Sequence, residues 1–411
     1  MKKTLIILTS ILLIAACGQV DDVYYPRPTS ETGEGTDPGI DQGIDASYWE
    51  NAADSATEKL LSAFWNEGNG YFRMTFVPPS EQLTGFQYWP QAHALDVVID
   101  AYIRTGDTRY SDYYSKWFNG VRIGNGAKWS NNYIDDMEWI VLTMLRMYET
   151  TQNQQYLTTA QQIYDDWIIT QWSDTPGGGG ILWCTTATPS KNACSNGPAG
   201  IAACRLYNLV DDPVAKAKYK ADAERIYAWL KAVLINANFD VLDNINNNNV
   251  AGGTSLSYNV GTVLGTAHEL YKITGSQTYL NDAVRLAERA TTTGAPYDQT
   301  NAILRSEGYG DGGLFKGIFI RYFVKLVNDT NVDKAKRQQF HAFMIRNATA
   351  LWTKGTTKEG DYQSFFSDAW NTPPTASTKA CSDCPTGSVS CQACVSGCTL
   401  LEAMNVLQPV E

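Results

Sequence analysis

The sequence predicts an all-α protein, an (α/α)6 barrel in which six αα-hairpins close into a toroid. Three observations lead there. One phrase recurs along the chain: an apolar helix ends near a tyrosine, a short polar turn follows, and a second helix begins. The first helix of each pair is apolar almost all round, while the second carries Lys, Arg, Glu and Gln on one face. Strand-like alternation is scarce, which argues against an α/β barrel.

From the N-terminus, MKKTLIILTSILLIAAC has two lysines, an apolar run and a small-residue approach to Cys17. That is the plan of a lipoprotein signal peptide over residues 1–17. Its Ile14-Ala15-Ala16-Cys17 resembles a lipobox, which implies that Cys17 becomes the lipidated first residue and that the protein is exported and held at a membrane, with the outer membrane expected. Residues 18–45 are rich in Gly, Pro, Asp and Thr and read as a flexible tether. The remaining residues, 46–411, suffice for one catalytic domain with a single large core.

Four hairpins are plain: DVVIDAYIRTGDTRYSDYYSKWF, VLTMLRMYETTQNQQYLTTAQQIYDDW, IAACRLYNLVDDPVAKAKYKADAERIYAWL and VLGTAHELYKITGSQTYLNDAVRLAERA. Their turn-flanking tyrosines, Tyr102, Tyr148, Tyr207 and Tyr271, lie 46, 59 and 64 residues apart, too irregular for a thin solenoid. A fifth pair runs from LFKGIFIRYF to ATALW, and a sixth forms if the helix around 46–66 pairs with one at 391–408. The all-apolar first helices must be buried as an inner ring. Irregular segments preceding inner helices, such as WCTTATPSKNACSNGP, then surround one cleft.

Charge narrows the ligand. The chain carries −11, about −13 without Lys2 and Lys3, so nothing basic is available to grip nucleic acid. Twelve tryptophans and 12% aromatics suit a neutral ligand that can be stacked upon, such as a sugar chain.

In NNYIDDMEWIVLTML, Asp135 and Asp136 stand side by side where an inner helix begins. Asp135 can be an N-cap that forms a capping box with Glu138. The functional alternative is a pair of carboxylates for sugar hydrolysis, because crowded acids titrate in separated steps and one holds its proton near neutral pH.

Five segments in order, YWPQAHALDVVIDAYIRTGD, YIDDMEW, KNACSNGPAGIAACRLY, YNVGTVLGTAHELYKITG and GDGGLFKGIFIRYFVKL, resemble the endo-α-1,6-mannanases of glycoside hydrolase family 76. The resemblance implies retaining cleavage of internal α-1,6-mannosidic bonds in mannan, with Asp135 attacking the anomeric carbon and Asp136 serving as acid and then base. It implies no metal or organic cofactor. A mannan transglycosylase on the same scaffold, and a non-catalytic glycan-binding lipoprotein, are the competing readings. A toroid of this size can stand alone, so a monomer is expected.

Candidate sugar contacts are Trp89 and Gln91 in YWPQAH, Trp129, Asn132 and Tyr133 before the aspartates, Trp183, Asn196 and Tyr258 in cleft-side segments, and Asp311 between glycines. His93 reads as structural, and Trp167, Trp229 and Trp352 on second helices read as packing. Eight cysteines follow Cys17. The spacing in CSDCPTGSVSCQACVSGC, residues 381–398, suits zinc, but export and the even count favour disulfides. Cys184 with Cys194 is the expected bridge beside the cleft, and C-terminal bridges are expected to staple the last helix.

Overall fold

The recurrent tyrosine phrase is a helix-ending turn. In the computed structural model, which describes residues 46–83 and 85–410, α2 (Tyr88–Thr105) stops where Gly106 turns left-handed at φ 70° and returns its N–H to the Tyr102 carbonyl. Asp107 then caps α3 (Thr108–Gly124) by accepting from the Arg109 N–H. Gln152, at φ 57°, does the same after α4 (Ile134–Thr151) with the Tyr148 carbonyl, and Asn153 caps α5 (Gln154–Ile163). Gly275, at φ 69°, ends α8 (Ser257–Thr274) on the Tyr271 carbonyl, before α9 (Gln277–Thr292). The pair α6 (Gly197–Leu209) and α7 (Pro213–Val233) departs from this plan. Its turn runs through extended Val210, and Asp212 caps α7 ahead of Pro213.

Helices α10 (Gly312–Asn328) and α11 (Lys334–Thr353) form the fifth pair, and α1 (Ala46–Phe64) packs on α12 (Cys391–Val406) as the sixth. The inner helices α2, α4, α6, α8, α10 and α12 each pack on the next, and α12 returns to α2, so the ring closes as an (α/α)6 barrel. Close approach within it depends on glycine. A Cβ on Gly261 of α8 would lie 2.5 Å from Phe319 Cα of α10, and one on Gly317 of α10 would lie 2.7 Å from Ser396 Cα of α12. Strands among the described residues are two or three residues long and only stitch loops together; one such strand, 389–390, pairs with 75–77 and leads into α12.

At the C-terminal ends of the inner helices the barrel holds buried charges. Arg146 pairs with Asp96 at 2.9 Å and with Asp100, and Arg321 reaches Asp100 at 2.9 Å. Arg104 meets Glu402 at 2.8 Å, a carboxylate that also accepts from Thr57 of α1. The guanidiniums offset both these acids and the negative ends of the helix dipoles.

The leader, Cys17 and the tether lie outside the described residues. Two cysteine expectations are corrected. Cys184 and Cys194 carry free thiols, and so do Cys391, Cys394 and Cys398 on α12; the bridge that forms is Cys381–Cys384, in an irregular turn. Residues three apart on a helix hold their Cβ atoms about 5–6 Å apart. A disulfide needs about 3.5–4.5 Å, so Cys391 and Cys394 cannot staple the helix that carries both.

Candidate active site

The first turn of α4 sets the site. Its N-cap is Tyr133, in extended conformation, and not Asp135. The neighbouring wall holds this register: the Ile134 N–H donates to the Trp183 carbonyl at 2.9 Å and the Thr185 N–H to the Asn132 carbonyl at 2.9 Å. Asp135 and Asp136 therefore both fall inside the first turn, at the favourable end of the helix dipole. The capping box does not form, because Glu138 turns inward and is fully buried.

Each oxygen of Asp135 has a defined partner. Oδ1 accepts the Asp136 N–H at 3.1 Å, and Oδ2 accepts the Trp183 indole N–H at 3.2 Å and the Cys194 thiol at 3.3 Å. Burial raises the Asp135 carboxyl to about 6, with these hydrogen bonds working against the rise. Asp136 is pushed well above the usual carboxylate range, first by burial, then by the charges of Asp135 and Asp311. Both carboxyls thus stand above the ordinary range, Asp136 the further, so Asp135 is the first of the pair to ionise as the pH rises.

Around the pair lies a cleft of about 620 Å³ at the N-terminal ends of the inner helices. Of the residues expected to touch sugar, Trp89, Tyr133, Trp183, Tyr258 and Asp311 line it. Tyr133 and Trp183 hold their rings 5.1 Å apart, and Tyr258 lies flat on Phe315 at 3.9 Å, which covers one of its faces. Burial raises Asp311, with the Trp89 indole opposing.

The other four expected contacts do not line the cleft. Gln91 is buried and clamps the Phe72 backbone, accepting from its N–H at 2.9 Å and donating to its carbonyl at 2.8 Å. Asn196 is buried and does the same for Ile181, accepting at 2.8 Å and donating at 3.1 Å. Trp129 packs its ring on Phe118, and Asn132 is exposed outside the cleft, serving through its backbone. His93 is buried against Trp139 and held neutral, its value lowered by burial to about 3, with Nε2 unpartnered.

Several lining residues were missed by the sequence reading, among them Tyr88, Asn192, Cys194, Asp243 and Phe315. Trp139, not among these, was expected beside the aspartates and does line the cleft, four residues after Asp135 on the same helix face. Asp243 accepts from Asn259 at 2.8 Å, a contact across sixteen residues with no local trace.

Behind the Trp183 wall the Lys191 ammonium is buried and donates to the carbonyls of Ser173, Pro176 and Gly179. Lys191→Met should leave three carbonyls without their donor and destabilise the protein by about 2 kcal/mol. The check is urea denaturation of parent and variant.

Residues 48–386 match the family described as "Glycosyl hydrolase family 76". The chain belongs to that family. The fold is shared with a family 76 alpha-1,6-mannanase from Salegentibacter sp. HEL1_6, at 36% identity and TM-score 0.78 over 88% of this chain and 100% of that one. An inactive variant of that mannanase, substituted at two consecutive aspartates, has been solved in complex with alpha-1,6-mannotetrose; it matches at 35% identity and TM-score 0.78 over 88% of this chain and 99% of its own. The Lin0763 protein of Listeria innocua matches at 28% identity and TM-score 0.74, over 87% of this chain and 96% of that chain. The Schizosaccharomyces pombe meiotically up-regulated gene 191 protein is 29% identical over 190 residues, 41% of this chain and 42% of that protein, so the match spans less than half the length of either.

Proposed function

We propose that this family 76 protein is a retaining, endo-acting α-1,6-mannanase. The observation that carries the reading is the adjacent carboxyl pair lining the cleft, Asp135 raised by burial to about 6 and Asp136 raised further by burial and its neighbour's charge. Asp135 attacks the anomeric carbon while Asp136 gives its proton to the departing glycosidic oxygen. The glycosyl-enzyme ester forms as the C–O bond breaks. Asp136, now a carboxylate, takes a proton from water, which attacks C1 and releases Asp135. Neither step calls for a metal or organic cofactor. Trp89, Tyr133 and Trp183 supply aromatic surface for mannose rings, and Asp311 supplies a hydroxyl partner. The Salegentibacter mannanase, similar across nearly the whole domain, supports the substrate.

The same proposal includes export, lipidation at Cys17, presentation at the outer membrane and action as a monomer; the supporting feature is the leader sequence with its tether. Incubation with debranched α-1,6-mannan tests the activity. Short oligosaccharides whose anomeric configuration is first retained are expected. Products longer than the substrate in excess acceptor would mean transfer, and binding without turnover would mean a glycan-binding protein.

A further inference from the structure

The sequence suggests Cys194 as half of a bridge, yet its thiol is free, buried and part of the cleft lining. It sits in a 3₁₀ turn, 193–195, ahead of α6, with its sulfur 3.3 Å from Asp135 Oδ2. The Trp183 indole reaches the same oxygen from the neighbouring segment at 3.2 Å. The Tyr258 hydroxyl of α8 neighbours the sulfur and acts on it. Tyr258 in turn is held flat against Phe315 of α10, 3.9 Å away and 7° from parallel. A chain of fixed groups therefore runs from α10 through α8 to the carboxylate on α4.

We propose that Cys194 is a positioning residue for the nucleophile: its thiol, seated against Tyr258, donates a hydrogen bond to Asp135 Oδ2 and with Trp183 fixes how that carboxylate faces the anomeric carbon. The inference rests on the mannanase reading for its catalytic meaning, and on geometry alone for the hydrogen bond. Proton placement agrees with it. Burial, followed by the nearby Asp135 charge, keeps the thiol well above its ordinary range, so the sulfur carries its proton and Asp135 accepts it. A donor to the charged form of a carboxyl favours ionisation. Loss of the thiol must therefore raise the pH at which Asp135 ionises.

Other groups face Asp135 and act in both parent and variant. Asp136 and Glu138 share α4, Cys184 lies on the Trp183 segment, and Tyr258 stands on α8. Asp243 acts on Cys194 and Tyr258, and Asp311 on Asp136. Each would be left in place, so a shift between parent and variant isolates the thiol.

The test compares the parent with Cys194→Ala and Cys194→Ser by two readouts. The first is kcat/KM on α-1,6-mannotetraose against pH. The second is the titration of the Asp135 side-chain carbon by NMR of protein labelled at aspartate, assigned with Asp135→Asn, which needs no substrate. Cys194→Ala should move both the acid limb and the carboxyl titration upward by about half a pH unit. Cys194→Ser, which restores a donor, should bring both back to within a few tenths of the parent. An unmoved titration in a folded Cys194→Ala protein, or an equal shift in the alanine and serine variants, would overturn the proposal and leave Cys194 as packing. If the titration moves as expected while the parent cleaves no mannotetraose, the hydrogen bond stands and the mannanase reading fails.

Discussion

Asp135→Asn should abolish hydrolysis of α-1,6-mannan oligosaccharides, and Asp136→Asn should lower kcat by about 10²–10⁴-fold, with the two losses distinguishable by leaving group. If Asp135 is the nucleophile, its removal leaves no atom to form the glycosyl-enzyme, whatever departs from C1. If Asp136 is the acid, its removal leaves the displacement its nucleophile but no proton for the leaving oxygen. A mannobiosyl fluoride, whose fluoride departs unprotonated, should therefore regain formation of the intermediate in Asp136→Asn and not in Asp135→Asn. Azide, which needs no general base, should then turn that intermediate over to a glycosyl azide. Equal, unrescued losses in both variants would mean that the pair acts as a structural unit at the helix start.

The same protonation split fixes the pH profile. In the proposed mechanism the working form has Asp135 ionised and Asp136 protonated. Activity should rise as the pH climbs through about 6, where Asp135 loses its proton. It should persist through neutrality and fall on the alkaline side, where Asp136, raised by burial and by its neighbour's charge, finally ionises. The limbs report macroscopic steps of the pair. A profile whose acid limb lies in the ordinary carboxylate range near 4 would place the charge elsewhere.

Local chemistry was legible in the sequence wherever the structure uses it locally. Tyr102, Tyr148 and Tyr271 mark true turns because each supplies the carbonyl that a left-handed capping residue needs four positions later. The ring of inner helices could be read from their all-round apolarity, and the α1–α12 closure from the one helix left over at each end. The aspartate pair was legible as an excess of charge where one cap would suffice. What failed were roles set by distant partners. Gln91 looks like a sugar-reading amide but spends both its polar atoms on Phe72, nineteen residues away. Asn196 does so on Ile181, fifteen away. Glu138 had the spacing of a capping box, yet the register is set by the backbone contacts of 132–134 with 183–185, which move the cap to Tyr133. Cysteine count suggested bridges, but the wall aims the Cys194 thiol at Asp135.

The barrel's other end supplies the largest stability effect. Arg146 of α4 lies between Asp96 and Asp100 of α2, pairing with both carboxylates and donating to the Asp96 carbonyl at 3.1 Å. Arg146→Met preserves much of the side chain's length and apolar stem but removes the charge. Two carboxylates are then left largely buried, with Arg321 as their remaining guanidinium. Breaking a buried pair in this way costs about 3–5 kcal/mol, because an uncompensated charge stays inside. The pH dependence follows from the sign of the shift at Asp96. Burial works to raise it, but the Arg146 and Arg321 charges outweigh burial and hold it below the ordinary value. A depressed folded-state carboxyl contributes stability above the unfolded value, near 4, and loses it as the pH falls through the folded value. Without Arg146 the balance tips toward burial, and Asp96 opposes folding whenever it is charged. The difference between parent and variant should therefore be greatest near pH 7 and shrink as the pH approaches 4. Denaturant midpoints measured across that range would decide it: a pH-independent loss would assign Arg146 to packing alone, and the expected narrowing would show that charge holds the base of α2 to α4.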